Sequence, residues 1–551
     1  MSSKPLLDIG DKEWHIVEAI LQRYVPDREV WAFGSRAKWT AKEFSDLDLA
    51  ILGEKSLTLE TSAALSDAFA DSDLPWKVDV VDWTTTSSSF RKIIERDKVV
   101  VQTSRNSDFV RFGDLFGDPQ RNGLTRPKRV RGTGLPMVNM GELFAYPRIK
   151  DIPMDLVPVE DKELQYLLET GDLLFARQSL VLSGAGQCSI FLGSSGSTVF
   201  ESHLIRCRLT VQRSNPLFYF YYFRSPEGRR AIEAIVEQGA GASGIRGSDL
   251  VNVLVPNPPK QTQDKVAAVL GALDDRISLL RETNTTLEAI AQALFKSWFV
   301  DFDPVHAKMQ GRVPDGMDEA MAALFPDSFE GAGLRTVPRS WSLCPVYNLA
   351  AFINGAAYKV FEPNLEKRGL PIVKIAELKS GITATTAFSD VDMSEKYLID
   401  AGDILFSWSG NPDTSIDTFV WHHESALLNQ HIFRVLPATK LERAFVLQTL
   451  KSLRPVFAEC ARNKQTTGLG HVTVADMKRL LVVRPDSIVL DLFSQIVGPV
   501  QQRIFENEKH ALLLSKLRDA LLPRLISGQL SLETRGRERR REPVLESEKP
   551  R

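Results

Sequence analysis

An internal repeat constrains the fold of this chain of 551 residues more than any other sequence feature. Residues 238–277 align without a gap on residues 465–504, which lie 227 positions further on. Upstream the similarity continues with small shifts, and GDLLF at Gly171 matches GDILF at Gly402. Each copy contains short β-branched and aromatic runs interrupted by glycine and proline, which is typical of strand-rich domains. The repeat therefore predicts two similar, mixed and strand-rich domains in one chain.

Each copy of the repeat ends in a segment with heptad spacing. Apolar side chains follow one another at alternating intervals of four and three residues across residues 266–298 and again across residues 493–525. Such a narrow seam predicts a long helix that packs against a partner helix. We expect the two helices to pair with each other as an antiparallel coiled coil, with Asn284 and Asn507 near the seam. An asparagine buried there lowers stability but fixes the register of the two helices.

The alternative for these two segments is a pair of ordinary amphipathic helices. Gly498-Pro499 lies inside the second segment and predicts a kink or a restart of that helix, because proline lacks an N–H and clashes with the preceding turn. Pro523 predicts a bend in its last turn. We favour the paired arrangement because the repeat and the strict spacing coincide.

Composition and charge exclude several classes of protein. With 43% hydrophobic and 25% charged residues, most of the chain is expected to fold. The formal net charge of -2 excludes a polycation that coats nucleic acid, while local basic patches remain compatible with it. The 4 cysteines lie far apart without a C-x-x-C pair, which indicates neither a zinc site nor a disulfide framework. We find no signal sequence and no apolar run long enough to span a bilayer, so we expect a soluble, cytoplasmic protein with no membrane partner.

Residues 1 to about 105 lie outside the repeat and have a chemistry of their own. A predicted helix over residues 11–24 and an apolar strand over residues 29–33 precede Gly34-Ser35, and ten residues later comes Asp46-Leu47-Asp48. Two carboxylates that alternate along a strand project to one face and repel each other, and a divalent metal relieves that repulsion. Asp79, on the next apolar strand, is the best candidate for a third ligand. The pattern predicts a Mg²⁺ site beside a Gly-Ser turn that can approach phosphate closely.

This G-S-x10-D-x-D pattern resembles the minimal nucleotidyltransferases of the polymerase-beta superfamily, including antitoxin-type members that transfer AMP to a partner protein. The resemblance implies that Gly34 and Ser35 hold the triphosphate of a nucleotide, which we expect to be ATP, and that the three aspartates hold Mg²⁺. Asp79 is preferred to Asp82 because it lies on the strand proper. Trp39 stands where the family commonly has a second glycine, so the alternative is a folded but inactive domain that serves as an interaction module.

From about Asp108 to Leu532 the chain resembles the DNA specificity subunits of type I restriction–modification enzymes. The stretches TLEAIAQALFKSWFVDFDPVHAK (residues 286–308) and LLLSKLRDALLPRLISGQL (residues 512–530) carry the resemblance, together with the paired GDLLF and GDILF elements. It implies two target recognition domains, each of which reads one half of a split site in duplex DNA. It also implies that the long helices dock methyltransferase subunits and, through them, restriction subunits. The specificity part itself is expected to need no cofactor, and we find no G-x-x-x-x-G-K-[ST] phosphate loop.

The resulting prediction is a multidomain chain of α/β and α+β type. Its parts are an N-terminal nucleotidyltransferase-like α/β domain (1–105), a first target recognition domain (106–262), a first spacer helix (263–308), a linker (309–340), a second target recognition domain (341–486), a second spacer helix (487–532) and a charged, disordered tail (533–551). Spacer helices of about 35 residues at ~1.5 Å per residue span roughly 50 Å. This exceeds the ~34–36 Å of one DNA turn and suits two separated half-sites.

Candidate DNA contacts lie in glycine-rich or polar loops, where Arg, Lys, Asn and Gln can match base edges. They are Arg177, Gln178 and Arg246 in the first copy of the repeat, and Asn411, Lys464 and Gln465 in the second. The alternative for each is a solvated loop residue.

Two functions remain open from the sequence. One is a DNA specificity subunit with an accessory N-terminal domain, and the other is a Mg²⁺-dependent nucleotidyltransferase that DNA-binding modules direct to its target. In the second case AMP would pass to a protein or an RNA. We favour the first because the repeat occupies most of the chain, and whether the N-terminal domain is an active enzyme stays open.

Overall fold

The structure is a computed structural model, and it describes residues 4–26, 28–53, 56–102, 109–239, 241–332, 335–465, 468–530 and 532. The predicted tail, residues 533–551, lies outside the described residues. Two compact units are present, Met1–Ala272 with Asp519–Arg551 and Leu273–Arg518. Within the described part of the chain, every helix is too short or too polar to cross a membrane.

The N-terminal domain is a mixed sheet with helices on both faces. Its strands are β1 (Val30–Phe33), β2 (Leu47–Ile51), β3 (Val78–Asp82) and β4 (Val99–Gln102), and its helices are α1 (Asp11–Tyr24), α2 (Gly34–Ala37), α3 (Leu59–Ala70) and α4 (Ser88–Asp97). The order across the sheet is β3-β2-β1-β4, with β3 parallel to β2 and β1 antiparallel to both β2 and β4.

The two faces of this sheet follow from the alternation of side chains along β1 and β2. Leu47, Leu49 and Ile51 pack with α1 and α3 in one cluster, while Trp31 and Ala50 belong to a second cluster on the other face. Asp48 lies between Leu47 and Leu49 on β2, so its side chain points to the opposite face of the sheet, where Trp31 and Ala50 lie. Helices α1 and α3 therefore cover the apolar face of the sheet, and Asp48 at the start of β2 lies on the opposite face.

The first copy of the repeat contains a five-stranded sheet and a buried aromatic helix. Across the sheet the order is Phe116–Asn122, Leu204–Leu209, Leu173–Ala176, Cys188–Phe191 and Arg148–Ile149. The aromatic helix is Pro216–Arg224, in which six consecutive side chains from Phe218 to Phe223 are buried. Further strands are Phe109–Arg111, Leu135–Val138, Asp155–Val157, Gln178–Ser179, Val199–Phe200, Glu237–Gln238, Ser243–Gly244 and Leu254–Pro256, and further helices are Met140–Ala145, Pro226–Glu233 and Gly247–Val251.

The second copy has the same central pairing. Its sheet runs Ala350–Asn354, Ile432–Pro437, Ile404–Ser407 and Asp417–Val420, and helix Glu442–Ser452 follows in the place of the aromatic helix. Further strands are Phe329–Ala332, Arg335–Pro338, Ser342–Pro345, Leu370–Val373, Phe388–Ser389, Leu398–Ile399, Ser409–Gly410, Ala426–Leu428, Gly470–His471 and Leu481–Arg484, and further helices are Asp303–Met309, Glu319–Ala323, Ile375–Ser380, Arg454–Arg462 and Val474–Arg479. The sequence repeat is therefore a repeat of structure.

Two helices of 40 residues follow the two copies: Lys260–Phe299, the first long helix, and Ser487–Ile526, the second long helix. The second is continuous through Gly498-Pro499, so the predicted restart is wrong. Only the Ser494 hydroxyl lies within 4 Å of a Cβ built on Gly498, at 3.9 Å, so this turn is uncrowded. The packing of a long helix offsets the loss of one backbone hydrogen bond at a proline.

The two long helices run antiparallel where they touch inside the unit Leu273–Arg518. Ile277 and Leu280 cluster with Ala511 and Leu514, and the predicted asparagine pair is also in contact. The amide of Asn507 donates to the side-chain oxygen of Asn284 at 2.8 Å, and the two residues are 3% and 6% exposed. Coiled-coil geometry along the full length of the helices stays a prediction.

Candidate functional site

Strand register brings together the acidic residues predicted for the N-terminal domain. Asp48 on β2 lies opposite Phe33 on β1 and opposite Asp79 on β3. Residues directly opposite on neighbouring strands share a face of the sheet, so the carboxylates of Asp48 and Asp79 are neighbours. Asp46 stands two residues before Asp48, just ahead of β2, and is exposed. Three carboxylates therefore converge on one edge of the sheet.

Gly34 lies directly against this acidic group. It follows the last residue of β1 and has a φ of +75°. A Cβ built on Gly34 would lie 2.0 Å from the Oδ2 of Asp48, so a larger residue would displace that carboxylate. Ser35 is the next residue, half-buried at the start of α2. The Gly-Ser turn and the strand carboxylates thus form one site.

The electrostatics of the site favour a bound cation. Burial raises the pKa of Asp48, and the negative charges of Asp79 and Asp46 raise it further. On the exposed side, the ammonium of Lys77 lies 2.5 Å from Oδ1 of Asp79. This hydrogen bond to Asp79 raises the pKa of Lys77. Sequence reasoning missed Lys77, since nothing in the pattern shows which way its flexible side chain turns.

The donor set is the kind that Mg²⁺ prefers, because all three side chains offer carboxylate oxygens. Among the described residues, no three Asp, Glu, His or Cys side chains are arranged to hold a metal ion as they stand. At this site the Asp79 carboxylate forms an ion pair with Lys77. A metal ion bound by Asp79 would compete with that lysine for the carboxylate.

Asp82, the alternative third ligand, has a different environment. Its carboxylate accepts hydrogen bonds from the backbone N–H groups of Thr84 (2.8 Å) and Leu57 (2.7 Å). Burial alone would raise the pKa of Asp82, but these hydrogen bonds, together with those from the side chains of Thr84 and Ser56, outweigh it and lower the pKa. Its register partner is Ile51, three positions from Asp48 and therefore on the other face of the sheet. Asp82 caps a turn, which favours Asp79 as the candidate ligand.

Arg36 is a second residue that sequence reasoning missed. It is 5% exposed, and its guanidinium donates to the carbonyls of Ser45 and Asp8, both at 2.8 Å. The loop between the Gly-Ser turn and Asp46 is held by these bonds. Its position directly after Gly34-Ser35 was the only signal, and sequence alone does not distinguish a structural arginine from a phosphate-binding one.

Trp39 has a backbone conformation that favours glycine. Its φ is +57°, in the left-handed region, and the residue is 59% exposed. A tryptophan in this conformation is strained, whereas a glycine would adopt it without strain.

In the first copy, two candidate DNA contacts lie on one small sheet. Strand Gln178–Ser179 pairs with Ser243–Gly244, which also pairs with Glu237–Gln238. The Gln178 side chain is exposed, and Arg246, just beyond the second strand, forms an ion pair with Glu237 at 2.7 Å. Arg177 is half-buried at the end of the central strand. The loops of these three candidates meet at one end of the domain.

In the second copy, two of the three candidates have structural partners. The Asn411 side chain accepts hydrogen bonds from the backbone N–H groups of Asp413 (3.0 Å) and Thr414 (3.1 Å). Lys464 forms an ion pair with Asp476, which caps helix Val474–Arg479. Gln465 is exposed. A DNA contact by any of the three stays a prediction.

The geometry of the N-terminal domain, a Gly-Ser turn against carboxylates of neighbouring strands, is that of a nucleotidyltransferase. Residues 17–106 match the family described as Polymerase beta, Nucleotidyltransferase. Over 102 residues the chain is 54% identical to the probable protein adenylyltransferase MntA of Haemophilus influenzae, a match that covers 18% of this chain and 90% of that protein.

A second kind of relative covers most of the chain. The HindI type I restriction enzyme specificity subunit of Haemophilus influenzae is 27% identical over 470 residues, which covers 75% of this chain and 98% of that protein. Among solved structures, the S subunit of the type I restriction–modification system of M. genitalium matches at 16% identity over 76% of this chain and 95% of that one, with a TM-score of 0.42. The chain therefore belongs to the polymerase-beta nucleotidyltransferase family in its N-terminal domain and is homologous to type I specificity subunits over most of its length. Both resemblances noted from the sequence are confirmed.

Proposed function

We propose that the chain reads a two-part site in duplex DNA as the specificity subunit of a type I restriction–modification complex. The observation that carries the proposal is the structural repeat, in which each copy leads into a continuous helix of 40 residues. Two copies of one reading domain, each fixed to a long helix, suit two half-sites at a constant separation.

The buried asparagine pair supports a fixed register between the helices. Asn284 donates to the backbone oxygen of Ile504 (3.2 Å) and to Glu508 (2.9 Å), in addition to accepting from Asn507. A helix that slipped by one turn would bury these polar groups without partners, which is costly. The pair therefore selects one alignment of the two helices.

Removal of one heptad from each helix tests the proposal. Deletion of residues 277–283 together with residues 508–514 takes out facing segments and keeps the asparagine pair. The helices shorten by about 10 Å, so the gap between half-sites selected from random duplexes should shrink by about 3 base pairs at ~3.4 Å each. Deletion of residues 277–283 alone, the control, should disturb the register and abolish selective binding. An unchanged gap in the double deletion would show that the helices do not set the spacing.

We further propose that the long helices dock methyltransferase subunits. Leu279 and Ile290 on the first long helix are 51% and 53% exposed, and Leu513 and Leu517 on the second are 64% and 46% exposed. Leu513 and Leu517 lie one turn apart on one helix face, a spacing that suits a helical or flat apolar partner. Replacement of both leucines by Glu should abolish co-purification of the methyltransferase from the native host, whereas Thr285→Ala on an exposed helix position should not. Retention of the partner by the glutamate variant would exclude this surface.

For the N-terminal domain we propose transfer of AMP from ATP to a partner protein. The contact between Gly34 and Asp48, beside Asp79, supports this activity. Mg²⁺ held by Asp46, Asp48 and Asp79 would neutralise the charge of the triphosphate. Gly34 and Ser35 would position that triphosphate through backbone N–H groups and the hydroxyl, leaving the α-phosphate open to an acceptor hydroxyl. The hydroxyl would lose its proton and bond to the α-phosphate, the bond between the α- and β-phosphates would break, and pyrophosphate would leave.

The activity is tested by incubating the full chain and its co-purified proteins with ATP that is radiolabelled at the α-phosphate. We expect a labelled protein in the presence of Mg²⁺, and none with Asp48→Asn. Asp67→Asn, an exposed carboxylate on α3, is the matched control and should leave labelling intact. Labelling that survives Asp48→Asn would place the activity elsewhere, and an absence of labelling with every partner would identify the domain as an inactive interaction module.

A further inference from the structure

Arg206 is a charged side chain that the first copy of the repeat buries without a close partner. It lies on strand Leu204–Leu209, next to the central strand of the sheet, and its side chain is 3% exposed. The nearest carboxylate oxygen, of Asp118, is 3.8 Å away, which is too long for a hydrogen bond. Its guanidinium donates no hydrogen bond to any other described residue, and its Nε is both buried and unpartnered. Because arginine stays protonated, this burial cannot be relieved by loss of the proton.

The second copy contains the equivalent arginine. Arg206 pairs with Leu174 of the GDLLF element, and Arg434 pairs with Leu405 of the matching GDILF element. The two arginines therefore occupy the same position in the two copies, which makes Arg434 an internal reference for Arg206.

Arg434 has structural partners. Its guanidinium donates to Asp403, the aspartate of the GDILF element, at 3.2 Å and to the backbone oxygen of Leu398 at 2.9 Å. These bonds join strand Ile432–Pro437 to the segment that precedes strand Ile404–Ser407. In the second copy the arginine at this position is therefore a structural cation.

In the first copy a different arginine makes the corresponding bonds. Arg208, two residues further along the strand, donates twice to Asp172 at 2.8 Å and once to the backbone oxygen of Leu167 at 3.1 Å. Asp172 and Leu167 occupy the places of the aspartate and leucine that bind the arginine of the second copy. The strand of the second copy has Leu436 where the first has Arg208. The first copy thus contains an additional arginine, Arg206, which takes no part in these structural hydrogen bonds.

A second arginine faces Arg206 directly. Arg121, on strand Phe116–Asn122, is its register partner. Like charges directly opposite on neighbouring strands repel. The described partners of the Arg121 guanidinium are neutral: it donates to the side chain of Gln165 and lies over the ring of Tyr166. Both arginines line an open cleft of about 530 Å³, together with Ser195 and Arg208.

The carboxylates of this cleft are already engaged. Asp118 accepts from Arg208 at 3.0 Å, and Glu169 accepts from Arg208 at 2.6 Å. These two acids are about half exposed, so water screens their charge, whereas Arg206 is desolvated. The opposed pair Arg121 and Arg206 is left without a carboxylate within hydrogen-bonding distance.

We propose that Arg121 and Arg206 bind a phosphate group in this cleft. A phosphate between them relieves their repulsion and accepts hydrogen bonds from both planar guanidinium groups. Burial of Arg206 strengthens the interaction because the surrounding dielectric is low. A backbone phosphate of bound DNA is one source of this group and a free phosphate is the other. The DNA source rests on the proposed reading of DNA, and the binding of phosphate itself does not.

The test compares equivalent substitutions in the two copies, with inorganic phosphate as the probe for the full chain. We expect Arg206→Met to weaken phosphate binding by about tenfold or more, the effect of losing a charge-assisted partner, and to leave the thermal midpoint without phosphate unchanged or raised. Arg434→Met should lower the midpoint and leave phosphate binding intact. Arg121→Met changes a less buried residue and should weaken phosphate binding without unfolding the domain.

The salt dependence of binding to a short random-sequence duplex separates the two sources of phosphate. If the group is a DNA phosphate, Arg206→Met should reduce the slope of log K against log salt by about 0.9. If the slope is unchanged while phosphate binding is lost, the occupant is a free phosphate. Should Arg206→Met lower the thermal midpoint as Arg434→Met does, with phosphate binding equal to that of the unaltered chain, Arg206 is a structural cation and the proposal is overturned.

Discussion

Substitution of Asn284 offers a direct measurement of the helix pairing. Asn284→Ala removes the acceptor of the Asn507 amide and two donated hydrogen bonds. Glu508 is half-exposed and can turn to water, and Ile504 is inside a helix whose backbone oxygens are already bonded. The main loss is the Asn507 amide, which is 3% exposed and would remain buried without an acceptor. Such a group costs about 1–3 kcal/mol, and we expect a loss of about 2 kcal/mol.

Replacement of both asparagines distinguishes the loss of their hydrogen bond from the cost of leaving one buried amide without an acceptor. Asn284→Leu combined with Asn507→Leu leaves no polar group without a partner and adds apolar surface to the seam. We expect this double variant to be at least as stable as the unaltered chain, because a polar pair replaced on both sides is close to neutral or stabilising. The two single variants should therefore be strongly non-additive.

Hydrogen exchange measured by mass spectrometry on peptides from residues 273–290 is the appropriate assay. Unfolding of a chain with several domains is not two-state, whereas local exchange reports on one segment at a time. A loss of about 2 kcal/mol should accelerate exchange in these peptides roughly thirtyfold. Thr285→Ala, on an exposed position beside the pair, should change it little. Unchanged exchange in Asn284→Ala would refute the burial of this pair between the helices.

Three further outcomes follow from the contacts described. Trp39→Gly should stabilise the N-terminal domain by about 1 kcal/mol by removing a strained left-handed conformation, as measured by exchange in peptides of residues 30–52; a loss of stability would contradict the strain at φ +57°. Gly34→Ala should abolish nucleotide binding in calorimetry, because the added methyl group would collide with Asp48, and normal binding would contradict that contact. Burial tends to raise the pKa of Glu288, but the charge of Lys451 and the hydrogen bonds from Lys451, Gln292 and Gln448 together outweigh it, and the pKa is lowered. The ionised Glu288 carboxylate therefore stabilises the folded state above the unfolded pKa of about 4.3, and this stabilisation should be lost as pH falls below it. Hydrogen exchange in residues 442–452 should accelerate over that pH range. Glu288→Gln should remove this pH dependence.

The sequence predicts the local elements of this chain well because they depend on short-range patterns. A helix over residues 11–24 is observed as α1, and a strand over residues 29–33 is observed as β1. Heptad spacing is equally local, and it singled out Asn284 and Asn507, which the structure places in contact. Apolar periodicity is sufficient for such elements because burial of one face decides their structure.

The partners of charged side chains could not be predicted in the same way. Lys464 was a candidate for DNA contact, but it forms an ion pair with Asp476, twelve residues further on and next to it only through the fold. Lys77 turns toward Asp79, and its position along the strand does not reveal this. A long side chain selects among several partners at similar energy, and that choice depends on the packed structure around it.

The two copies of the repeat show how the structure identifies the partners of such charged side chains. Strand register places Arg206 at the position of Arg434, but the sequence alone cannot tell which arginine of the first copy is structural, because Arg208 lies only two residues from Arg206. Strand register and hydrogen bonds decide it, since one copy satisfies its aspartate with the equivalent arginine and the other with the added one. Similar copies fold with the same backbone bonds, so a charged residue that only one copy buries without a hydrogen-bond partner is a candidate for binding rather than for folding. Recognition is then expected where the two copies differ, as it should be if they read different halves of a site.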